Sequence, residues 1–264
     1  IPAEPLFRSS YNDAYNDINS NDLTRLTLIQ ADIMAYQLNQ TDEAVSLLTK
    51  TVEQVGGKQD KAELKLKLAD IYLHEDEVWE ATLLYSQVDK SMKEEPLGHE
   101  ARFKNAQLRY FIGEYEWAES QLKVLKAATS KLIANDAMTL SLVIKDNLEA
   151  DSTGMEINRL ARVDYRIYQQ REDEAIAMLD VIIANGNDVS KPHALFRKGE
   201  IAEKRKEFEA AEQLYLQIVE QYPDSYMADA ALMHAALIEQ SPLKNKELAK
   251  QHYEKLIDEY PTSI

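Results

Sequence analysis

The chain has 264 residues, 45% of them hydrophobic, with 46 acidic side chains against 30 basic ones and a formal net charge of -16. That hydrophobic share excludes a disordered chain, and the acidic excess argues against nucleic acid and anionic membranes, which are neutralised by clustered Lys and Arg. Without a single Cys there is no disulfide framework, Cys zinc site, thiol nucleophile or iron–sulfur cluster.

The predicted elements are helical from end to end. Only 7 Gly and 7 Pro occur, which disfavours a turn-rich sheet or barrel. Long proline-free stretches separate Pro5, Pro96 and Pro192, so helices can run there with short turns between them. Leu64, Leu68, Ile71 and Tyr72 follow helical spacing, as do Ala211, Leu214, Tyr215, Ile218, Val219 and Tyr222. No stretch approaches the roughly 20 apolar residues of a membrane span. The chain opens on Ile1 with no charged-then-apolar leader, so it reads as a processed piece of a longer protein.

A repeat runs through these helices. A small residue is followed by a bulky one four positions later at Ala44, Ala81, Ala118, Ala175, Ala211 and Ala249. In the last five copies a further apolar residue stands at the seventh position, and the copies are spaced by 37, 37, 57, 36 and 38 residues. Pro223 and Pro261 close the last two copies, in "QYPDS" and "EYPTS". The wide step holds one additional helix, whose apolar stripe is Leu132, Ile133, Ala137, Leu140, Val143, Ile144 and Leu148, ended by "ADSTG".

On these residues the chain resembles the tetratricopeptide repeat (TPR) family. The copy from Ala194 to Pro223 carries the resemblance furthest. There Leu195 stands at the family's Trp position, Lys198-Gly199 at its Leu-Gly, Ala202 at its Tyr, and Ala211, Tyr215 and Pro223 at its small, aromatic and proline positions. Gly199 lies inside a helical pattern, where it costs about 1 kcal/mol against Ala, and the resemblance supplies a reason: close approach of two helices. The fold implied is all-α, a right-handed TPR-type α-solenoid of antiparallel helix hairpins with one extra unpaired long helix near 131–149. Its divisions are a lead-in over 1–24, three hairpins over 25–130, the inserted helix over 131–154 and three hairpins over 155–264, as one continuous solenoid. The chain is also similar to large uncharacterised envelope TPR proteins of Bacteroidota, which implies a periplasmic or outer-membrane-associated location, with the cytoplasm as the alternative.

The resemblance implies a protein-binding scaffold whose first helices of each hairpin line a concave face. Residues at the family's concave positions include Ile33, Tyr36, Asp70, His74, Phe103, Gln107, Tyr110, Phe111, Glu200 and Glu203. Aromatics there either anchor a partner or pack on the next hairpin. Of the adjacent Tyr110 and Phe111, one is expected to point away from the core. Trp79 and Trp117 fall early in second helices, as partner anchors or as caps over the groove between hairpins. Asn105, flanked by Arg102, Lys104 and Arg109, lies on the most basic helix and is a candidate carboxylate site.

No chemistry-bearing constellation accompanies these repeats. The five His form no ligand spacing, and no phosphate-binding glycine loop occurs. The triplets Glu75-Asp76-Glu77 and Glu172-Asp173-Glu174 suit helix N-termini better than a calcium loop. The expectation is therefore a non-enzymatic scaffold without cofactor or metal, holding a protein or peptide partner in a bacterial envelope assembly or secretion complex. It does not bind nucleic acid or insert directly into a membrane. The alternatives are a self-associating, homo-oligomeric module and the regulatory arm of a larger protein.

Overall fold

The structure, a computed structural model, describes residues 19–126 and 131–261. Most of the expected lead-in, residues 1–18, lies outside them. Among the described residues there are helices and turns and no strand. In chain order the helices are α1 Ser20–Asp32, α2 Thr41–Gln54, α3 Lys58–His74, α4 Val78–Ser91, α5 Pro96–Phe111, α6 Tyr115–Leu125, α7 Lys131–Ala150, α8 Met155–Tyr168, α9 Glu172–Asn185, α10 Ser190–Lys204, α11 Phe208–Gln221, α12 Ala228–Gln240 and α13 Lys246–Glu259.

The chain forms two compact units, one of Ile1–Tyr110 with Glu114–Leu140 and the other of Phe111–Gly113 with Ser141–Ile264. In the first, Ala31, Ala35, Ala44, Leu48, Leu64, Leu68 and Ile71 form one buried cluster from α1 to α3. In the second, Leu160, Val163, Ala175, Leu179, Ile182 and Ala194 join α8, α9 and α10. A further cluster there joins α10 to α13 through Leu195, Phe196, Ala211, Tyr215, Ile218, Leu232 and Leu256.

The repeated small residue has a steric cause. Ala44, Ala81, Ala118, Ala175 and Ala211 are wholly buried and Ala249 nearly so. Each sits in the first turns of a second helix, where a larger side chain would hold the paired helix away. Four residues on, Leu48, Tyr85, Leu122, Leu179 and Tyr215 are also wholly buried. Three tyrosines at this +4 position keep the ring in the hairpin and send the hydroxyl to a polar group on the first helix. Tyr85 donates to Asp70 at 2.6 Å, Tyr215 to Glu203 at 3.2 Å and Tyr253 to Gln240 at 2.8 Å. Gly199 serves the same closeness: a Cβ there would lie 2.7 Å from Cε1 of Tyr215.

The turns inside the hairpins share one backbone device. Five residues before each repeat alanine, Asn39, Asp76, Gly113, Gln170, Lys206 and Lys244 all have positive φ. Only one of the six is Gly. In all six the next residue's N–H reaches back to the preceding helix, six residues for Gln40 and Asn245 and five residues in the other four. Glu77 donates to the Tyr72 carbonyl at 2.8 Å, and Glu114, Arg171 and Glu207 donate to Arg109, Arg166 and Ala202, each at 2.9 Å. This is the Schellman closure, which needs a left-handed residue in that place.

Helix entries follow ordinary chemistry. The Asn19 side chain accepts from the Asp22 N–H and starts α1 at Ser20, inside the expected lead-in, because a capped first turn outweighs its weak apolar pattern. α1 ends in a π-helical turn over Ile33–Gln37, which the residue spacing did not announce. Between α7 and α8, the Asp151 carboxylate accepts from the Thr153 hydroxyl and from the Thr153 and Glu156 N–H groups. Those bonds, the Thr153 hydroxyl foremost, hold its pKa below the ordinary aspartate value.

Candidate protein-docking surfaces

In the first unit the helices α1, α3 and α5 carry a face of polar side chains tied to one another. The Lys67 amine lies 2.7 Å from the Asp32 carboxylate and 6.0 Å from the centre of the Tyr36 ring. Tyr36 meets His74 edge-on at 5.1 Å, and the His74 ring is 2.9 Å from the Glu75 carboxylate. Burial first, then the charges of Asp70, Asp32 and Glu75, push the Tyr36 hydroxyl well above its usual pKa. Asp70 holds the Lys104 amine at 2.8 Å. Tyr36 and His74 therefore lie together, and both are half-buried, as are Phe103 and Gln107 on α5.

Tyr110 and Phe111 are not docking residues. Both are buried, which corrects the expectation that one of them points outward. The Tyr110 ring packs near Tyr115 at 6.1 Å, and Phe111 stacks on Tyr165 at 5.0 Å with Tyr168 at 5.7 Å. Each finds its own aromatic neighbours, so adjacency on one helix does not force either into solvent.

The basic α5 is also not an open carboxylate site. Arg102 makes a two-point contact with Asp89, closest at 2.7 Å, Lys104 is held by Asp70, and Arg109 pairs with Glu114 at 2.9 Å. Asn105 is buried and donates to the Ser86 hydroxyl at 3.3 Å. A cluster that is basic in sequence is thus neutralised by acids from elsewhere in the fold.

The two tryptophans differ. Trp79 is 78% exposed, one turn before exposed Leu83 on α4. Trp117 is half as exposed, at 39%, because the Arg109 guanidinium lies 4.2 Å over its ring.

In the second unit the corresponding face comes from α8, α10 and α12. Arg197 bridges Asp164 at 2.8 Å and Glu200 at 2.7 Å, and buried His193 lies 3.7 Å from Asp164. Glu203 accepts from Tyr215 and lies 3.1 Å from the His234 ring. Phe196, Tyr215 and His234 pack as an aromatic triad with centres 5.1–5.3 Å apart. Behind this face, wholly buried Glu239 lies 2.9 Å from the His252 ring nitrogen. Burial pushes the carboxyl groups of both Glu239 and neighbouring Glu212 above the ordinary glutamate range, and it pushes His252 below the ordinary histidine range. The acidic triplet in the first turn of α9 is occupied by cations of the chain itself: Glu172 holds Lys204 and Arg205 at 2.6 and 3.0 Å, and Asp173 holds Arg205 at 2.7 Å.

Among the described residues, no helix is long and apolar enough to cross a membrane. The polar ties between first helices are the features that spacing alone missed. The tyrosines four positions after Ala81, Ala211 and Ala249 are the visible trace of polar order in the sequence, although each ties a second helix to its own first helix.

Two family models match part of the chain. Tetratricopeptide repeat models match residues 160–226 and 230–263, together less than half of the chain. No curated protein matches. Among solved structures, the chain is similar to the apo form of the quorum sensor NprR from B. thuringiensis, with 14% identity and a TM-score of 0.40 over 98% of this chain and 71% of that one. Residues 160–226 and 230–263, which lie in the all-α second unit, are thus similar to tetratricopeptide repeats.

Proposed function

We propose that this chain is a non-enzymatic scaffold that binds a protein or peptide partner on the first-helix faces of its hairpins. We place it in a bacterial envelope assembly or secretion complex, periplasmic or associated with the outer membrane. The observation that carries the reading is the set of polar side chains on these faces, fixed by neighbours in adjacent hairpins. Asp70 with Lys104 and Asp164 with Arg197 are the clearest cases. Such groups are ordered before a partner arrives, so docking costs little on the scaffold side. Exposed aromatics are scarce on these faces, which favours recognition by charge and hydrogen bonding over deep apolar anchoring.

The test is site-specific photo-crosslinking in an envelope extract. A photoreactive phenylalanine is placed at Tyr36, at Glu200 or, as a control on an exposed second-helix position, at Glu53. Adducts with one discrete envelope protein from Tyr36 or Glu200 are expected. Adducts confined to Glu53, or none at all, would refute the face, and a cytosolic partner would refute the location.

A further inference from the structure

In the first unit α1 turns an apolar face outward. Leu26 is 54% exposed, and Ile33, at the π-helical end of α1, is 40% exposed. The other first helices show what such a face meets. Twelve or thirteen residues before the repeat alanine, each of five first helices has a buried small residue: Ala31 in α1, Ala69 in α3, Ala106 in α5, Gly199 in α10 and Ala236 in α12. Five residues before that small residue and two after it stand Leu64 and Ile71 in α3, and both are buried. The same pair is Ala101 and Leu108 in α5, Ala194 and Ile201 in α10, and Ala231 and Ile238 in α12, again all buried. In α1 the pair is Leu26 and Ile33.

The buried pairs face the second helix of the preceding hairpin. Leu64 and Ile71 share a cluster with Leu48 of α2. Ala194 and Ile201 share one with Leu179 and Ile182 of α9, and Ala231 and Ile238 share one with Ile218 and Val219 of α11. The open pair on α1 is thus a stacking surface shaped for an amphipathic second helix.

The sequence before α1 supplies that pattern. Phe7 stands 37 residues before Ala44, the same step that leads to Ala81 and Ala118. It is 24 residues before Ala31, as Ala175 is before Gly199. Four, seven, eight and eleven residues after Ala211 are Tyr215, Ile218, Val219 and Tyr222, and after Phe7 the same places hold Tyr11, Ala14, Tyr15 and Ile18. The residues between them are polar, and Phe7 itself takes the place of the small residue. Ile18 adjoins Asn19, the cap of α1, and so short a join puts consecutive helices side by side. A tether of that length also holds the segment near α1 at about millimolar effective concentration, well ahead of a second copy of the chain.

We infer that the apolar face of α1 is the docking site of residues 7–18, which cover Leu26 and Ile33 as the second helix of a further hairpin.

The test uses the whole chain. Because it has no Cys, introduced thiols are the only ones present. One variant carries Tyr15→Cys with Gln30→Cys. Their counterparts in the next hairpin, Val52 and Leu68, pack in one cluster. The control carries Tyr15→Cys with Glu53→Cys, an exposed position on α2. Mild oxidation and peptide mapping should find a disulfide within one chain in the first variant and none in the control. Disulfide-linked dimers, which would make a second copy the occupant, would overturn the inference, as would equal yields from both pairs or no disulfide from either. Hydrogen exchange reads the same contact without thiols. Amides of residues 11–18 should exchange at least about tenfold more slowly than in an unstructured chain. Leu26→Asp with Ile33→Asp should bring them within about twofold of that rate while α2 and α3 keep their protection. Leu83→Asp, on an exposed site of α4, should leave them slow. Fast exchange in the parent, or slow exchange that survives the α1 substitutions, would overturn the inference.

Discussion

Replacing Gly199 by Ala sets two effects of known size against each other. In an exposed helix the change would stabilise by about 1 kcal/mol, through helix propensity. Here the new methyl would lie 2.7, 2.9 and 3.1 Å from three carbons of the Tyr215 ring. That ring cannot retreat freely: it is wholly buried, with Phe196 and His234 centred 5.3 and 5.1 Å away and its hydroxyl bonded to Glu203. Overpacking of this kind costs about 1–3 kcal/mol. The net expectation is a loss of up to about 2 kcal/mol, with Leu worse than Ala. Urea midpoints followed by far-ultraviolet circular dichroism read the total, and hydrogen exchange in α10 and α11 locates it. The decisive arm is a cycle with Tyr215→Leu, which removes the ring. In that background Gly199→Ala should recover its stabilising sign. A stabilising Gly199→Ala in the parent, or no coupling between the two sites, would refute the close-approach argument.

The left-handed turn position makes Lys206→Gly and Gln170→Gly stabilising by about 0.5–1 kcal/mol each, and Gly113→Ala destabilising by a similar amount, in chemical denaturation. Trp79→Phe should remove most of the acrylamide-accessible fluorescence without loss of stability, because Trp79 is the open indole and Trp117 is covered by Arg109; greater relief from Trp117→Phe would reverse that assignment. Glu212 and Glu239 have raised folded-state pKa values, so their stabilising contribution is complete below 4.5 and is lost as pH rises. His252 is depressed, so its contribution is complete above 6.5 and is lost as pH falls. Glu239→Gln should therefore gain more stability, or lose less, than the parent between about pH 5 and pH 8 in urea midpoints, and identical profiles would refute the buried-acid reading.

The second helices were legible because their signal is local. An alanine every 36–38 residues, apart from one step of 57, with a bulky residue four positions on, is written within each helix. Gly199 was legible because a glycine inside a strong helical pattern demands a neighbour. The docking faces were harder to read, since their order depends on distant partners. Lys104 reads as a free cation until the fold brings Asp70 to it, and Phe111 reads as a surface candidate until Tyr165 covers it. The turn device was hidden for another reason: Asn39, Asp76, Gln170, Lys206 and Lys244 look like ordinary polar loop residues, and the backbone geometry they share leaves no mark in hydrophobic spacing.

The clusters of each unit link helices that follow one another closely in sequence, as from α1 to α3 and from α10 to α13. Contacts of that kind close only short loops, so ordering one hairpin spends little chain entropy before its packing is recovered. A nascent chain could then fold hairpin by hairpin as it leaves the ribosome, each new pair finding a finished surface to settle on. Within each unit, amide protons beside the buried clusters would be the last to open.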